Sequence, residues 1–310
     1  MSRIDEALKR VAEAAAVEAR GGVGAVVRST RRPDEATLDH YPAERTPAFE
    51  VAAVPPRGER LRRSHSVRPV QPDQATDTLG PTDAAFEGKL VIGETAPPLC
   101  VEQYRRLAAA MHELQQERDL KTLMVTSALP REGKTLTVTN LALTLSNSYA
   151  RRVLLIDADL RRPSVHEVLN LPNTTGLSEA LRSDRVELPL RRVSPMLTVL
   201  TAGKADDNPM ALLTSERMQR LLEESAARFD WVLLDAPPVG FMPDAGLLAG
   251  ITRAILFVIS AGSTPYQLVQ RATAELGRDC IVGTVLNRIE DQNIPATGYY
   301  RDYYAGKSER

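Results

Sequence analysis

Three segments of this 310-residue chain carry side chains whose type and spacing suit phosphate chemistry. In SALPREGKTLTVTN, residues Gly133, Lys134 and Thr135 stand between an apolar run and a segment with helical spacing. In the order strand, loop, helix, the loop N–H groups and the helix N-terminus receive phosphate. The lysine reaches the β and γ phosphates, and the hydroxyl faces magnesium. The strict motif has glycine five positions before Gly133, where this chain has Ala128. A lone Gly-Lys is often only a turn, so the flanking strand and helix carry the reading. Two further apolar runs end in carboxylates: VLLI leads into Asp157-Ala158-Asp159, and WVLL leads into Asp235. One aspartate after a strand is commonly a turn or a cap. Three beside a phosphate loop are better explained by a divalent cation and a group that takes up a proton.

The elements that must hold these residues are legible as an alternation. Apolar runs at 122–126, 153–156, 197–200, 231–234, 254–259 and 281–286 read as strands buried on both faces. Helical spacing marks 101–116, 134–149, 164–169, 214–228 and 264–276. Strand alternating with helix predicts an α/β P-loop fold: a doubly wound, mostly parallel sheet with helices on both faces. Ligands in such sheets bind at the carboxyl ends of the strands, where all three segments lie.

Residues 1–20 place Ile4, Leu8, Val11 and Val17 at helical spacing and predict an amphipathic helix. Residues 21–97 are rich in proline and poor in aromatics, and predict a disordered linker. Within it Arg57, Arg60, Arg62, Arg63 and Arg68 form a basic run, read as a solvated stretch or as a contact to an anionic membrane or acidic partner. The P-loop domain is then expected over 98–294 and a tyrosine-rich tail over 295–310. No apolar run approaches the roughly 18 residues that span a bilayer. A net charge of -1 supplies no global field for nucleic acid, which is excluded as a partner. Cys100 and Cys280 have no metal-ligand spacing, and no secretion signal opens the chain, so a cytoplasmic protein without zinc or disulfides is expected. The four histidines are scattered and receive no role.

Taken together, SALPREGKT, VLLIDADLRRP, FDWVLLDAPPV, NPMALLTSERMQRLL and the terminal YYRDYY resemble the bacterial tyrosine kinases of capsule and exopolysaccharide synthesis. Within that family the stand-alone tyrosine autokinases of exosortase-linked polysaccharide loci are the nearest resemblance, with a short first helix like SRIDEALKRV. The resemblance implies ATP-dependent phosphorylation of tyrosine, with ATP and Mg2+ as cofactors. It places nucleotide on Arg131, Glu132, Gly133, Lys134, Thr135 and Leu136. It places Mg2+ on Thr135, Asp157, Asp159 and Asp235. One carboxylate of the DAD segment takes the tyrosine proton; Asp157 is chosen and Asp159 stays open, with Lys134 as the other catalytic residue. The acceptors are Tyr299, Tyr300, Tyr303 and Tyr304 of a neighbouring subunit. In related P-loop folds residues such as Asn287 and Arg288, just past the last strand, contact the adenine; a polar turn is the competing reading.

Two positions depart from the family pattern. Arg131 replaces the first loop glycine, which predicts a stiffer first half of the loop. Glu102 and Arg105 match an oligomer motif, E-x-x-R-x-x-R, whose second arginine is here Ala108. The family also implies a homo-oligomer and a separate membrane chain-length or activator protein, which would hold the kinase at the inner face of the membrane. A ParA or MinD type nucleotide switch, and an ATP-binding scaffold without transfer, are the alternatives. The switch class carries an additional lysine early in the loop, where this chain has Ala128, Leu129 and Pro130.

Overall fold

A computed structural model describes residues 84–86, 88–92, 96–182, 188–206, 208–241 and 243–289. The helix expected over 1–20, the basic run and the tyrosine tail lie outside the described residues, as does most of the expected linker. In chain order the elements are α1 (Pro98–Arg118), β1 (Thr122–Ser127), α2 (Lys134–Ser148), β2 (Val153–Asp157), α3 (Val165–Val168), α4 (Leu177–Arg182), β3 (Arg191–Ser194) and β4 (Leu197–Leu200). They continue with α5 (Met210–Leu213), α6 (Glu216–Arg228), β5 (Trp231–Asp235), α7 (Asp244–Thr252), β6 (Ile255–Ser260), α8 (Tyr266–Leu276) and β7 (Ile281–Asn287). The seven strands form one sheet in the order β3-β4-β2-β5-β1-β6-β7. Every pairing is parallel except the edge pair β3–β4, which is antiparallel.

Each central strand feeds two cores because successive side chains leave opposite faces. Met124, Leu154, Ile156, Val232, Leu234 and Phe257 enter one core, covered by Met218 and Leu222 of α6, Leu248 of α7 and Val269 of α8. Leu123, Val125, Val153, Leu155, Trp231 and Leu233 enter the other, covered by Ala108 and Met111 of α1 and by Val138, Leu141 and Leu145 of α2. Burial on both faces is why these strands read as unbroken apolar runs.

All six expected strands are present. The edge strand β3, with its sequence RRVS, and helices α4, α5 and α7 were not expected. Folded structure also begins before residue 98. Leu90 is buried, the Val91 N–H donates to Asn140 Oδ1 at 3.0 Å, and Asn140 Nδ2 donates to the Lys89 carbonyl at 2.9 Å. One buried amide on α2 thereby fixes the backbone of a segment whose composition predicts disorder. Met111 is core, while Tyr104 is only half-buried. Ala108 is wholly buried, so the position where the oligomer motif has its second arginine faces the sheet in this chain.

Candidate active site

Strands β1, β2 and β5 are neighbours, and their carboxyl ends bring the three sequence segments to one place. Asp157 and Asp235 stand opposite each other in the β2–β5 register. Lys134, the first residue of α2, sends Nζ to Asp159 Oδ2 at 3.0 Å and to within 3.9 Å of Asp235 Oδ1. Thr135 donates from Oγ1 to Asp235 Oδ2 at 2.6 Å and lies 2.9 Å from Ser164 Oγ. Five of the expected site residues, Lys134, Thr135, Asp157, Asp159 and Asp235, are thus one cluster.

The three carboxylates have different surroundings. Asp157 is wholly buried, and its oxygens are occupied by backbone: Oδ1 accepts from Asp159 N–H at 3.2 Å, and Oδ2 from Ser164 and Val165 N–H at 3.0 Å each. It sits at the N-terminus of α3, a cap as well as a member of the cluster. Burial, and then the charge of Asp235, push its carboxyl well above the usual carboxylate range. Asp235 is likewise raised by burial, against the opposing attraction of Lys134 and the Thr135 hydroxyl. Its Oδ1 has no hydrogen-bond partner among the described residues. Burial pulls the Lys134 ammonium down, but Asp235 and Asp159 outweigh it and the net shift is upward.

Only Asp159 of the three reaches open space. A cavity of about 790 Å³ is lined by Asp159 together with Gly133, Lys134, Thr135, Leu136 and the arginines 131, 161, 162 and 288. Five cationic side chains against one carboxylate make a wall suited to a polyanion. Arg161 is held in position by Asp244, which is buried at the first residue of α7 and accepts its Nε at 2.6 Å. That pair joins residues 83 apart in sequence and was not expected.

Two expected nucleotide contacts face elsewhere. Glu132 is buried and absent from the cavity wall; its carboxylate accepts from the Leu129 and Ser260 N–H groups and the Thr264 hydroxyl. Asn287 also turns from the cavity: Nδ2 donates to the Glu132 carbonyl at 2.8 Å. Arg288, by contrast, lines the cavity. In the loop, Arg131 (φ 66°) and Gly133 (φ 93°) are both left-handed. The residue where the family has glycine therefore keeps a glycine-like backbone. That conformation costs a side-chain-bearing residue about 1–2 kcal/mol. Ala128 is not among the positive-φ residues, so the position where the strict motif has glycine accepts a Cβ here.

Glu102 pairs within its own helix, with Arg105 at 3.8 Å and Arg106 at 3.9 Å. The Arg105 side chain is 56% exposed, so the pair contributes little to stability.

No protein-family model matches the chain. The tyrosine-protein kinase YwqD of Bacillus subtilis is 35% identical over 215 residues, covering 68% of this chain and 90% of that protein. The chain belongs to the bacterial tyrosine-protein kinases. The tyrosine-protein kinase ptk of Acinetobacter johnsonii is 32% identical over 203 residues, but only 26% of that longer protein is covered. Among solved structures, the kinase domain of the Escherichia coli tyrosine kinase ETK matches with a TM-score of 0.57 at 32% identity, covering 62% of this chain and 78% of that one. The enzyme class is that of the bacterial tyrosine-protein kinases: the chain uses a nucleotide to phosphorylate tyrosine, and the nucleotide-switch and scaffold alternatives fall away. No helix among the described residues is long and apolar enough to cross a membrane.

Proposed function

We propose that the chain is an ATP-dependent autokinase that phosphorylates Tyr299, Tyr300, Tyr303 and Tyr304 of a neighbouring copy, and that this controls exopolysaccharide assembly. The observation that carries the reading is the convergence of Lys134, four arginines and Asp159 on one cavity at the strand ends. The polyphosphate lies along the loop and Lys134, which leaves Asp159 to meet the γ-phosphate. An acceptor hydroxyl attacks phosphorus as its proton passes to Asp159. The new O–P bond forms, the bond from the γ-phosphorus to the β–γ bridging oxygen breaks, and ADP leaves. Asp159 is preferred to Asp157 as the proton acceptor because Asp157 is sealed behind three backbone N–H groups. Asp157 then holds the turn that carries Asp159 and α3.

Among the described residues, no three His, Cys, Asp or Glu side chains are grouped to hold a metal by themselves. Mg2+ needs no such group, since it takes one or two carboxylates with phosphate oxygens and water. The Thr135 hydroxyl and Asp235, whose buried Oδ1 lacks a hydrogen-bond partner among the described residues, are hard oxygen donors that fit it. When bound there it neutralises charge developing on the phosphates. Arg288 is proposed to line the nucleotide's far end, and Glu102 with Arg105 to contact a neighbouring subunit. A separate membrane protein is proposed as the partner, with residues 1–20 as its docking helix, residues 21–97 as the tether and the kinase held at the membrane's inner face. The test is incubation with ATP and Mg2+ followed by an anti-phosphotyrosine blot. Signal that disappears when all four tail tyrosines are Phe supports the reading; undiminished signal in the Lys134→Met protein refutes it.

A further inference from the structure

We propose that Glu132 is a positioning residue: a buried carboxylate strut that sets the shape of the phosphate loop from behind, with Asn287 as its second fastening. The proposal rests on the reading of this loop as the ATP phosphate cradle.

Glu132 is only 3% exposed, and no cation pairs with it among the described residues. A buried carboxylate without a counter-ion is costly unless hydrogen bonds hold it. Here Oε2 accepts from Leu129 N–H at 2.6 Å, across the loop itself. Oε1 accepts from Ser260 N–H at 3.3 Å, at the end of β6, and from the Thr264 hydroxyl just before α8. The carbonyl of the same residue accepts Asn287 Nδ2, at the end of β7. One residue therefore ties the loop to itself, to β6, to the start of α8 and to β7. It stands between two left-handed residues, Arg131 and Gly133. A loop with such a backbone needs outside support to stay in one shape. Its amides serve a phosphate only if they are already aimed. The side chain does this without touching the cavity, which distinguishes a positioning role from a binding one.

Glutamine measures the strut with almost no change of shape. Leu129 and Ser260 present backbone donors to opposite oxygens, so whichever way the amide turns, one N–H faces an NH2 group. Thr264 can rotate to accept and does not rescue the lost bond. Binding of a fluorescent ATP analogue to the full chain, with melting curves and ATP-dependent transfer rates, is the experiment. The expected result for Glu132→Gln is affinity weakened about tenfold, or about 1.4 kcal/mol, with KM raised in step and kcat at saturating ATP within about threefold. Thr264→Val, which keeps the carboxylate, should weaken binding about threefold, and the double variant should be no worse than Glu132→Gln alone. Affinity of Glu132→Gln within twofold of wild type overturns the proposal. If that variant does not fold, unchanged affinity in Thr264→Val overturns it. Because the affinity ratio is the measure, wild-type protein that binds ATP without forming phosphotyrosine would refute the kinase reading and not the strut.

Discussion

Replacing Lys134 by methionine should do more than stop phosphoryl transfer, because among the described residues the ammonium is the cation that pairs with a buried cluster of carboxylates. Its side chain is 10% exposed, against 5% for Asp159 and 0% for Asp235, and Asp157 lies alongside. Removing one partner of a buried ion pair costs about 3–5 kcal/mol. At about 2–4 °C per kcal/mol for domains of 150–250 residues, melting at pH 8 should fall by roughly 6–20 °C. The sequence alone places this side chain at a ligand; its burial adds a structural role. The penalty should depend on pH with a definite sign. The carboxyls of Asp157 and Asp235 are already raised in the folded protein, and losing Lys134 raises Asp235 further. A carboxyl raised on folding stabilises as pH falls toward its ordinary value near 4 and destabilises as pH rises through the folded value. Lys134 itself is shifted upward, so its contribution is present throughout pH 5–8 and is lost only as pH rises from its ordinary value through its folded value. Each pH unit below a raised carboxyl recovers up to about 1.4 kcal/mol, so the gap between wild type and variant should narrow as pH falls from 8 to 5. Melting by circular dichroism at pH 5, 6, 7 and 8 reads this directly. A gap under 2 °C at pH 8, or one equal at pH 5 and pH 8, would refute the electrostatic account.

The carboxylates should separate in the opposite sense to the sequence-based choice: Asp159→Asn is expected to lower kcat about 100-fold or more with ATP affinity within a few-fold, while Asp157→Asn keeps transfer within about tenfold. Stopped assays under saturating ATP decide it, and the reversed order would restore Asp157 as the base. Gly133→Ala should weaken ATP binding about tenfold or more, since its Cβ would fall 2.0 Å from Asn287 Nδ2 on a backbone at φ 93°; titration with a fluorescent ATP analogue reads it, and affinity within about threefold of wild type would disprove the steric reason. Mixing full-length Lys134→Met protein with an active chain whose four tail tyrosines are Phe should place phosphate on the Lys134→Met tail by mass spectrometry, and a tail left unmodified would argue against transfer between subunits.

How much of this was readable beforehand follows from where each signal is stored. The strands β1, β2, β4, β5 and β6 are legible because burial on both faces forces an unbroken apolar run, while β7, an edge strand that is mostly half-buried, is legible from the apolar composition of IVGTVL alone. The edge strand β3 lacks that pressure: RRVS is polar, short and paired on one side only. Helix α7, DAGLLAGIT, is apolar on nearly every side and contains two glycines, so it shows no 3.6-residue stripe. Residues 88–92 were expected to be unstructured because their composition is that of a tether. A single buried asparagine on α2, about fifty positions later, satisfies their backbone, and no local pattern records it.

The same division runs through the site. Lys134, Thr135 and the three aspartates are found by position alone, since a parallel sheet brings the residues after its strands to one edge. What position does not reveal is which of them faces the cavity. Asp157 and Asp159 are two residues apart, but a strand turns successive side chains to opposite faces only while it remains a strand, and β2 ends at Asp157. Past that point the turn to α3 sets direction, and it folds Asp157 under three backbone amides while placing Asp159 on the cavity wall, where Lys134 and the Arg162 N–H hold it. Glu132 and Asn287 are a stronger case. Their partners lie 128, 132 and 155 positions away, so residues beside a nucleotide loop read naturally as ligands although their polar groups are spent on protein. The departures from the usual loop fit the same account. Ala128 is accommodated because its backbone is not left-handed, and Arg131 keeps a left-handed backbone because the loop is fastened from behind. A loop braced this way depends less on glycine for its shape and more on distant donors, so substitution of Thr264, whose donor is its side-chain hydroxyl, should alter nucleotide affinity before it alters the fold.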